Sequence, residues 1–265
     1  SLGHTEEISV DDKEKCEKFL QDFNSEKWKW FYSLEGTLVR FYYYDNKWYF
    51  STHKKLSAFQ SRWSCRFSFG EIFTEYLKEV YPKVENPYHY FLEKLDRDKI
   101  YYFLIRTNIY NRVICDISSI EYGKKIIFIG YRIGNTQLIL NNDNCCFLKE
   151  FQKPLEVTIK DKSCILNFVE KEINPFMYQG IIGFDCESNS NTKFVNKKYK
   201  ELSRIRGNNP NIRLRYLEIR SDCYSKSKFI ELYPNFQKVF ENYEEVIIGV
   251  AKYIHYSFLQ RYLKG

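Results

Sequence analysis

Tyr32-Ser33-Leu34-Glu35-Gly36-Thr37-Leu38-Val39-Arg40 lies inside an aromatic stretch that runs from Trp28 to Ser51. Aromatic and β-branched residues are dense there, which is the composition of strands. Asp45-Asn46 interrupts the run with two residues that accept a tight turn. The expected unit is a hairpin in which Thr37–Tyr44 pairs with Lys47–Thr52, and Glu35-Gly36 stands at its entrance.

Working outward, apolar spacing predicts a short helix over 11–23, with Cys16, Phe19, Leu20 and Phe23 on one side and Asp11 or Asp12 as its N-cap. A second helix is expected from Ser68 to Val80, with Phe69, Ile72, Phe73, Tyr76, Leu77 and Val80 on one face and Pro82 beyond its end. Phe59, Trp63 and Phe67 recur every four residues, the spacing of a core-facing helix stripe. Strands are expected over 100–106, 112–117, 125–133, 137–140 and 178–185, a strand or a short helix entry over 155–161, a loop over 188–192, a helix over 196–206, and an alternating strand over 213–220. Phe236, Val239, Phe240, Tyr243, Val246, Ile247, Val250 and Ile254 predict a helical tail. No Pro, Gly or Ser-rich linker and no internal repeat divides the chain. The expected class is therefore α+β, with central antiparallel sheets flanked by helices. Residues 1–10 read as a flexible tag remnant, 11–225 as the main domain and 226–265 as a C-terminal helical extension.

The chain has 265 residues, of which 44% are hydrophobic and 18% aromatic, enough to build a core and to exclude disorder. Many Asn, Lys, Ile, Tyr and Phe with one Met is the usage of an AT-rich coding genome, as in large DNA viruses and some protists. The eight cysteines form no C-x-x-C pair and no zinc-spaced cluster with histidine, so neither a metal nor a cofactor is expected. No charged leader precedes an apolar run, and no apolar run reaches roughly 18 residues, so no membrane contact is expected. The expected compartment is reducing and cytoplasmic.

The net charge of +7 is concentrated. Between Lys193 and Arg220 nine basic residues meet only Glu201 and Glu218, an excess equal to that of the whole chain. Such a segment suits a polyanion, RNA or a nucleotide phosphate, although a solvated basic face has the same composition. Within it Lys197, Lys198, Arg204, Arg206, Arg213 and Arg215 are candidate phosphate contacts. An internal ion pair with Glu218 or Asp185 is the alternative for the last two. Lys54, Lys55 and Arg62 form a second basic group interleaved with aromatics, a pattern used on single-stranded RNA.

Ser33-Leu34-Glu35-Gly36 resembles the first motif of the RNA ligase and mRNA-capping nucleotidyltransferase superfamily, Lys-x-Asp/Glu-Gly at the end of a strand. Further weak matches follow in the family's order over residues 30–220. Tyr102-Phe103-Leu104 and Asn111-Arg112-Val113-Ile114 resemble the third motif. Tyr178-Gln179-Gly180-Ile181-Ile182 resembles the fourth, and Lys193-Phe194-Val195 the fifth. The resemblance implies a ligase-like fold and a nucleotide pocket formed by Ser33, Glu35, Gly36, Phe103, Gln179 and Lys193, with the glycine letting backbone approach the nucleotide.

The departures share one direction. Ser33 stands in place of the nucleophilic lysine, Leu104 and Gln179 in place of glutamates that hold ribose or metal, and Val195 in place of a lysine that neutralises phosphate. A serine hydroxyl without a neighbouring base is a far poorer nucleophile than an activated amine. A laboratory lysine-to-serine change would leave the other motifs intact, and Leu104 and Gln179 argue against it. The implied function is noncovalent binding of an RNA end, a capped 5′ end or a free nucleotide. The implied site has no catalytic residue and no metal. Trp28, Trp30, Trp48 and Trp63 offer faces for a cationic methylated guanine. The alternatives are a ligase or guanylyltransferase that uses another lysine, such as Lys29 or Lys54, and a scaffold for a protein partner.

Overall fold

The computed structural model describes residues 5–21, 23, 27–63, 66–106, 114–115, 126–134, 138–140, 148–159, 161–185, 187 and 190–263. The fold mixes α and β, with two sheets flanked by helices and a long C-terminal helix. Two compact units divide it, Ser1–Glu201 and Leu202–Gly265. The second unit has its own aromatic core, built on Tyr216, Phe229 and Phe240.

The first sheet runs in the order β1 (Glu6–Ser9), β10 (Asn191–Val195), β9 (Gly180–Asp185), β2 (Trp28–Ser33) and β8 (Glu156–Val157). Every pairing is antiparallel except that of β1 with β10. Two expectations are corrected here: residues 6–9 are a strand and no flexible leader, and 191–195 is a strand where a loop was expected through 192. Both segments are short and largely polar, and pairing makes them strands: β10 lies beside β9, and β1 beside β10. One face of the sheet packs Ile8, Trp30, Ile181 and Phe194 against Cys16 and Phe19 of α1 (Lys13–Gln21) and Ile165 of α4 (Lys162–Asn167). Asp161 caps α4 through Ser163 N at 2.8 Å, and the helix continues into a π-helical turn, Phe168–Glu172.

The second sheet runs β4 (Lys47–Thr52), β3 (Thr37–Tyr44), β5 (Lys99–Ile105), β6 (Ile126–Ile133) and β7 (Ile139–Leu140), antiparallel throughout. The expected hairpin forms, with Tyr44 opposite Lys47 and Asp45 and Asn46 at φ 48° and 58°, the left-handed pair that a two-residue turn requires. Val39, Phe41, Phe50, Tyr101, Phe103 and Phe128 face α2 (Phe69–Val80) and α3 (Pro87–Lys94). At the centre Phe73 is fully buried, its ring 5.0 Å from those of Phe41 and Phe50. Each such phenyl contributes about 1.5–3 kcal/mol of hydrophobic stabilisation. Ser68 and Glu71 close a capping box on α2, Ser68 N donating to Glu71 Oε2 at 2.6 Å and Glu71 N to Ser68 Oγ at 3.2 Å.

The helix stripe expected at Phe59, Trp63 and Phe67 does not form. A single 3-10 turn, Ala58–Gln60, is flanked by extended Ser57 and Ser61, and Phe59 packs edge-on to Phe50 and Tyr88. The expected strand over 112–117 lies for the most part outside the described residues. The strand expected over 213–220 is instead α6 (Ile212–Ile219), because the Asn211 side chain caps the amides of Arg213 and Leu214. Tyr216 and Ile219, three residues apart, then bury together.

The second unit takes the end of α5 (Lys197–Arg206), then α6, α7 (Cys223–Leu232) and α8 (Gln237–Tyr262). Its core stacks Tyr216 on Phe240 at 4.1 Å, with Phe229 alongside. Tyr216 Oη donates to Glu244 Oε1 at 2.8 Å, and Arg220 Nη2 reaches Glu244 Oε2 at 2.6 Å. Among the described residues no helix is long and apolar enough to cross a membrane.

Candidate functional site

The sheet faces turned away from the two helix-covered cores line one cavity of about 500 Å³. Strand alternation decides which residues reach it. On β2, Trp30 faces the helices, so Phe31 and Ser33 face the cavity. On β9, Ile181 joins the core and Ile182 and Phe184 join the cavity, with Phe31 directly opposite Ile182. Leu38 of β3 lies opposite Leu104 of β5, and both line the second wall with Ile129 and Leu140. Thr5, Ser33, His53 and Asn191 are polar points in a largely apolar lining. That pattern suits a small organic ligand held by shape and oriented by a few polar groups.

Ser33 sits in the wall, 5% exposed. Among the described residues no carboxylate or imidazole is hydrogen-bonded to its hydroxyl, so nothing there activates it. Its carbonyl accepts from Gln179 N at 2.8 Å. Gly180, at φ 153°, leaves no room for a side chain: a Cβ there would stand 1.9 Å from Phe194 O. Gln179-Gly180 is thus a backbone clasp between β2 and β10, and the half-buried Gln179 side chain is not part of the cavity wall.

Glu35 faces inward. Its carboxylate accepts from Ile114 N at 3.0 Å, Cys115 N at 2.9 Å and Tyr199 Oη at 2.7 Å. Arg106 Nε donates to the Glu35 carbonyl at 2.9 Å. Burial, and after it the Glu35 charge, pushes the Tyr199 hydroxyl far above its ordinary pKa, so it remains a donor. Gly36 is needed for a close approach to protein, since a Cβ would meet Ile105 O at 2.6 Å and Leu104 Cγ at 2.7 Å. Glu35 and Gly36, expected in the nucleotide pocket, join the β2–β3 connection to β5 and α5.

Phe103 is likewise fully buried in the core of the second sheet, while its neighbour Leu104 faces the cavity. Lys193, opposite Ile182 in the register, shares the cavity-facing side of its sheet and pairs with Glu7. Lys197 pairs with Asp11 at 3.1 Å, and Lys198 lies over the Phe176 ring at 5.6 Å. Lys54 and Arg62 are exposed, and Lys55 Nζ donates to Gln60 O at 3.1 Å.

In the second unit Arg204 and Arg213 are exposed, but Arg206 is 1% exposed and donates to Asn209 O at 2.6 Å. Arg215 donates to Ile205 O at 3.0 Å and pairs with Glu218 at 3.0 Å. Arg206 and Arg215 are thus tied to carbonyls and a carboxylate of their own unit. Of the ion pairs weighed for Arg213 and Arg215, that of Arg215 with Glu218 is present.

Sequence reading missed the cavity walls themselves: Phe31, Leu38, His53, Ile182, Phe184 and Asn191. Alternation within β2 and β9 was a usable signal, since the residues skipped by the core had to face something else. Among the described residues no group of three His, Cys, Asp or Glu is close enough to hold a metal ion.

No family model matches the chain. It is 28% identical over 232 residues to the Immediate-early protein ICP-46 homolog of Invertebrate iridescent virus 3, covering 87% of this chain and 49% of the relative. It is 29% identical over 269 residues to the protein of the same description in Invertebrate iridescent virus 6, covering 98% and 59%. The chain spans about half the length of these curated relatives. Viral relatives agree with a large DNA virus as the kind of source. Among solved structures it is similar to the Naegleria gruberi RNA ligase with PPi, at 10% identity and TM-score 0.48, over 77% of this chain and 58% of that one. It is also similar to an archaeal ATP-dependent RNA ligase, at 10% identity and TM-score 0.47, over 98% and 64%.

Proposed function

We propose that the protein binds a nucleotide, free or at the phosphorylated or capped 5′ end of an RNA, noncovalently in the cavity between its two sheets. One observation carries this reading: the cavity wall presents a hydroxyl at Ser33 where the resembled enzymes place an amine. Phe31 and Phe184, whose rings meet edge to face, and the surrounding aliphatic side chains provide an apolar lining for a base. Thr5, Ser33, His53 and Asn191 supply hydrogen-bonding groups that orient it. The acid retained beside Ser33 serves the fold, so the site keeps the shape of a nucleotide pocket without its reactive groups. Titration calorimetry with ATP, GTP, a cap analogue and short 5′-phosphorylated RNA, with and without magnesium, tests this. The expected result is metal-independent binding, and silence with every ligand overturns it.

A second reading has one observation in its favour. Lys29, opposite Phe184 in the register and on the same side of β2 as Ser33, is exposed, which offers an amine for nucleotidyl transfer at the edge of the cavity. Incubation with labelled ATP or GTP and metal, followed by a denaturing gel, distinguishes the two. A covalent adduct lost in Lys29→Ala supports the enzyme, and its absence supports the binder.

A further inference from the structure

Two residues along β3 and β5 from the cavity wall, the lining changes character. Leu38 and Leu104 form one cross-strand row. The next row on the same face is Ser51, Arg40, Tyr102, Gly130 and Leu140. Leu140 returns to the cavity wall, so this row borders the cavity, about 7 Å along the strands from its apolar centre.

Arg40 is oriented but not neutralised. Its Nε donates to Ser51 Oγ at 3.0 Å and its Nη2 to Thr52 O at 3.4 Å. Among the described residues no carboxylate lies within ion-pair reach of it. Tyr102, opposite Arg40, is 1% exposed, and its hydroxyl has no hydrogen-bond partner among the described residues. Burial raises the pKa of that hydroxyl, and the charges of Arg132 and Arg40 act against the rise, so both cations lie near it. Buried hydroxyls are rarely left unpaired in native proteins, and a guanidinium held by two neutral oxygens keeps an open donor edge.

We infer that Arg40 and Tyr102, with Arg132 beside them, form a phosphate subsite for a nucleotide whose base occupies the apolar cavity. This deepens the noncovalent reading above and rests on it. The spacing suits the chemistry. A base in the slot of Phe31, Ile182 and Leu104 leaves one ribose between itself and the arginine row. The phosphate then accepts from the open edge of Arg40 and from the Tyr102 hydroxyl, which supplies the partner that each of them lacks. The subsite lies on the second sheet, away from Ser33, so the phosphate is held where no nucleophile stands.

The test compares adenosine and guanosine with ATP and GTP by calorimetry on the full chain, in wild type, Arg40→Gln and Tyr102→Phe. Wild type is expected to bind the triphosphates at least tenfold more tightly than the nucleosides, with that preference falling as salt rises. Arg40→Gln is expected to lose about tenfold for triphosphates and nothing for nucleosides, as removal of one charge-assisted contact predicts. Tyr102→Phe keeps the ring, so its melting temperature is expected to match or exceed that of wild type, while the triphosphate preference falls several-fold. Equal binding of nucleoside and nucleotide, or variants with the wild-type preference, overturns the subsite and leaves the cavity reading standing. No binding of any of the four overturns both.

Discussion

Tyr199 donates its phenolic hydrogen to Glu35 across 2.7 Å, joining residues 164 positions apart in the chain. The carboxylate that the motif resemblance assigned to a ligand is thereby occupied by protein on three sides. Tyr199→Phe removes one donor and leaves two amides, and it is expected to cost about 1–2 kcal/mol. Glu35→Ala strands two buried amides and a hydroxyl and is expected to cost about 3 kcal/mol or more. Urea denaturation of both variants measures this, and an unchanged midpoint for Glu35→Ala contradicts the structural role.

Gly180 is expected to tolerate no side chain. Its φ of 153° and the position of Phe194 O make Gly180→Ala a backbone clash that no rotamer relieves, so a loss of about 3 kcal/mol or more, or insoluble protein, is expected. Gly249, on α8 with open space around it, is the control. Gly249→Ala is expected to raise stability by up to about 1 kcal/mol through helix propensity. Thermal melts of the two side by side read the contrast.

On the noncovalent reading proposed above, placing an amine at position 33 is expected not to confer nucleotidyl transfer. With Glu35 turned inward, Leu104 in the cavity wall and Gln179 outside it, Ser33→Lys supplies a nucleophile without the groups that hold metal and neutralise phosphate. Labelled ATP or GTP with magnesium or manganese is expected to leave no adduct on Ser33→Lys in a denaturing gel. An adduct there would mean that the remaining machinery is intact.

Glu244 connects acidity to the second unit. Hydrogen bonds from Arg220 and Tyr216, and after them Lys226, lower its carboxyl to about 2 from an ordinary 4.5. A depressed folded-state pKa stabilises fully above the unfolded value, and that stabilisation is lost as pH falls from 4.5 toward 2. The melting temperature of Glu244→Gln is therefore expected to lie below wild type above about pH 5.5 and to converge with it in acid. A gap that does not depend on pH would assign the effect to packing.

The hairpin, the capped helix α2 and the aromatic core between them were legible in the sequence. Asp45-Asn46, Ser68 with Glu71, and the spacing of Phe69, Phe73 and Leu77 act over a few residues, and local geometry alone gives them meaning. That a serine stands at position 33, where the resembled motif has a lysine, is likewise read directly from the sequence. What only the tertiary structure decided depends on partners far along the chain. Glu6–Ser9 is a strand because Asn191–Val195 lies beside it, and that strand exists because of β9. Arg213 and Arg215 alternate with apolar residues as strand residues do, yet one Asn211 cap makes them helical. Glu35 points inward because amides 79 and 80 residues away and a hydroxyl 164 away converge on it. Side-chain type sets what a residue can bond, and only the fold sets which partner is within 3 Å.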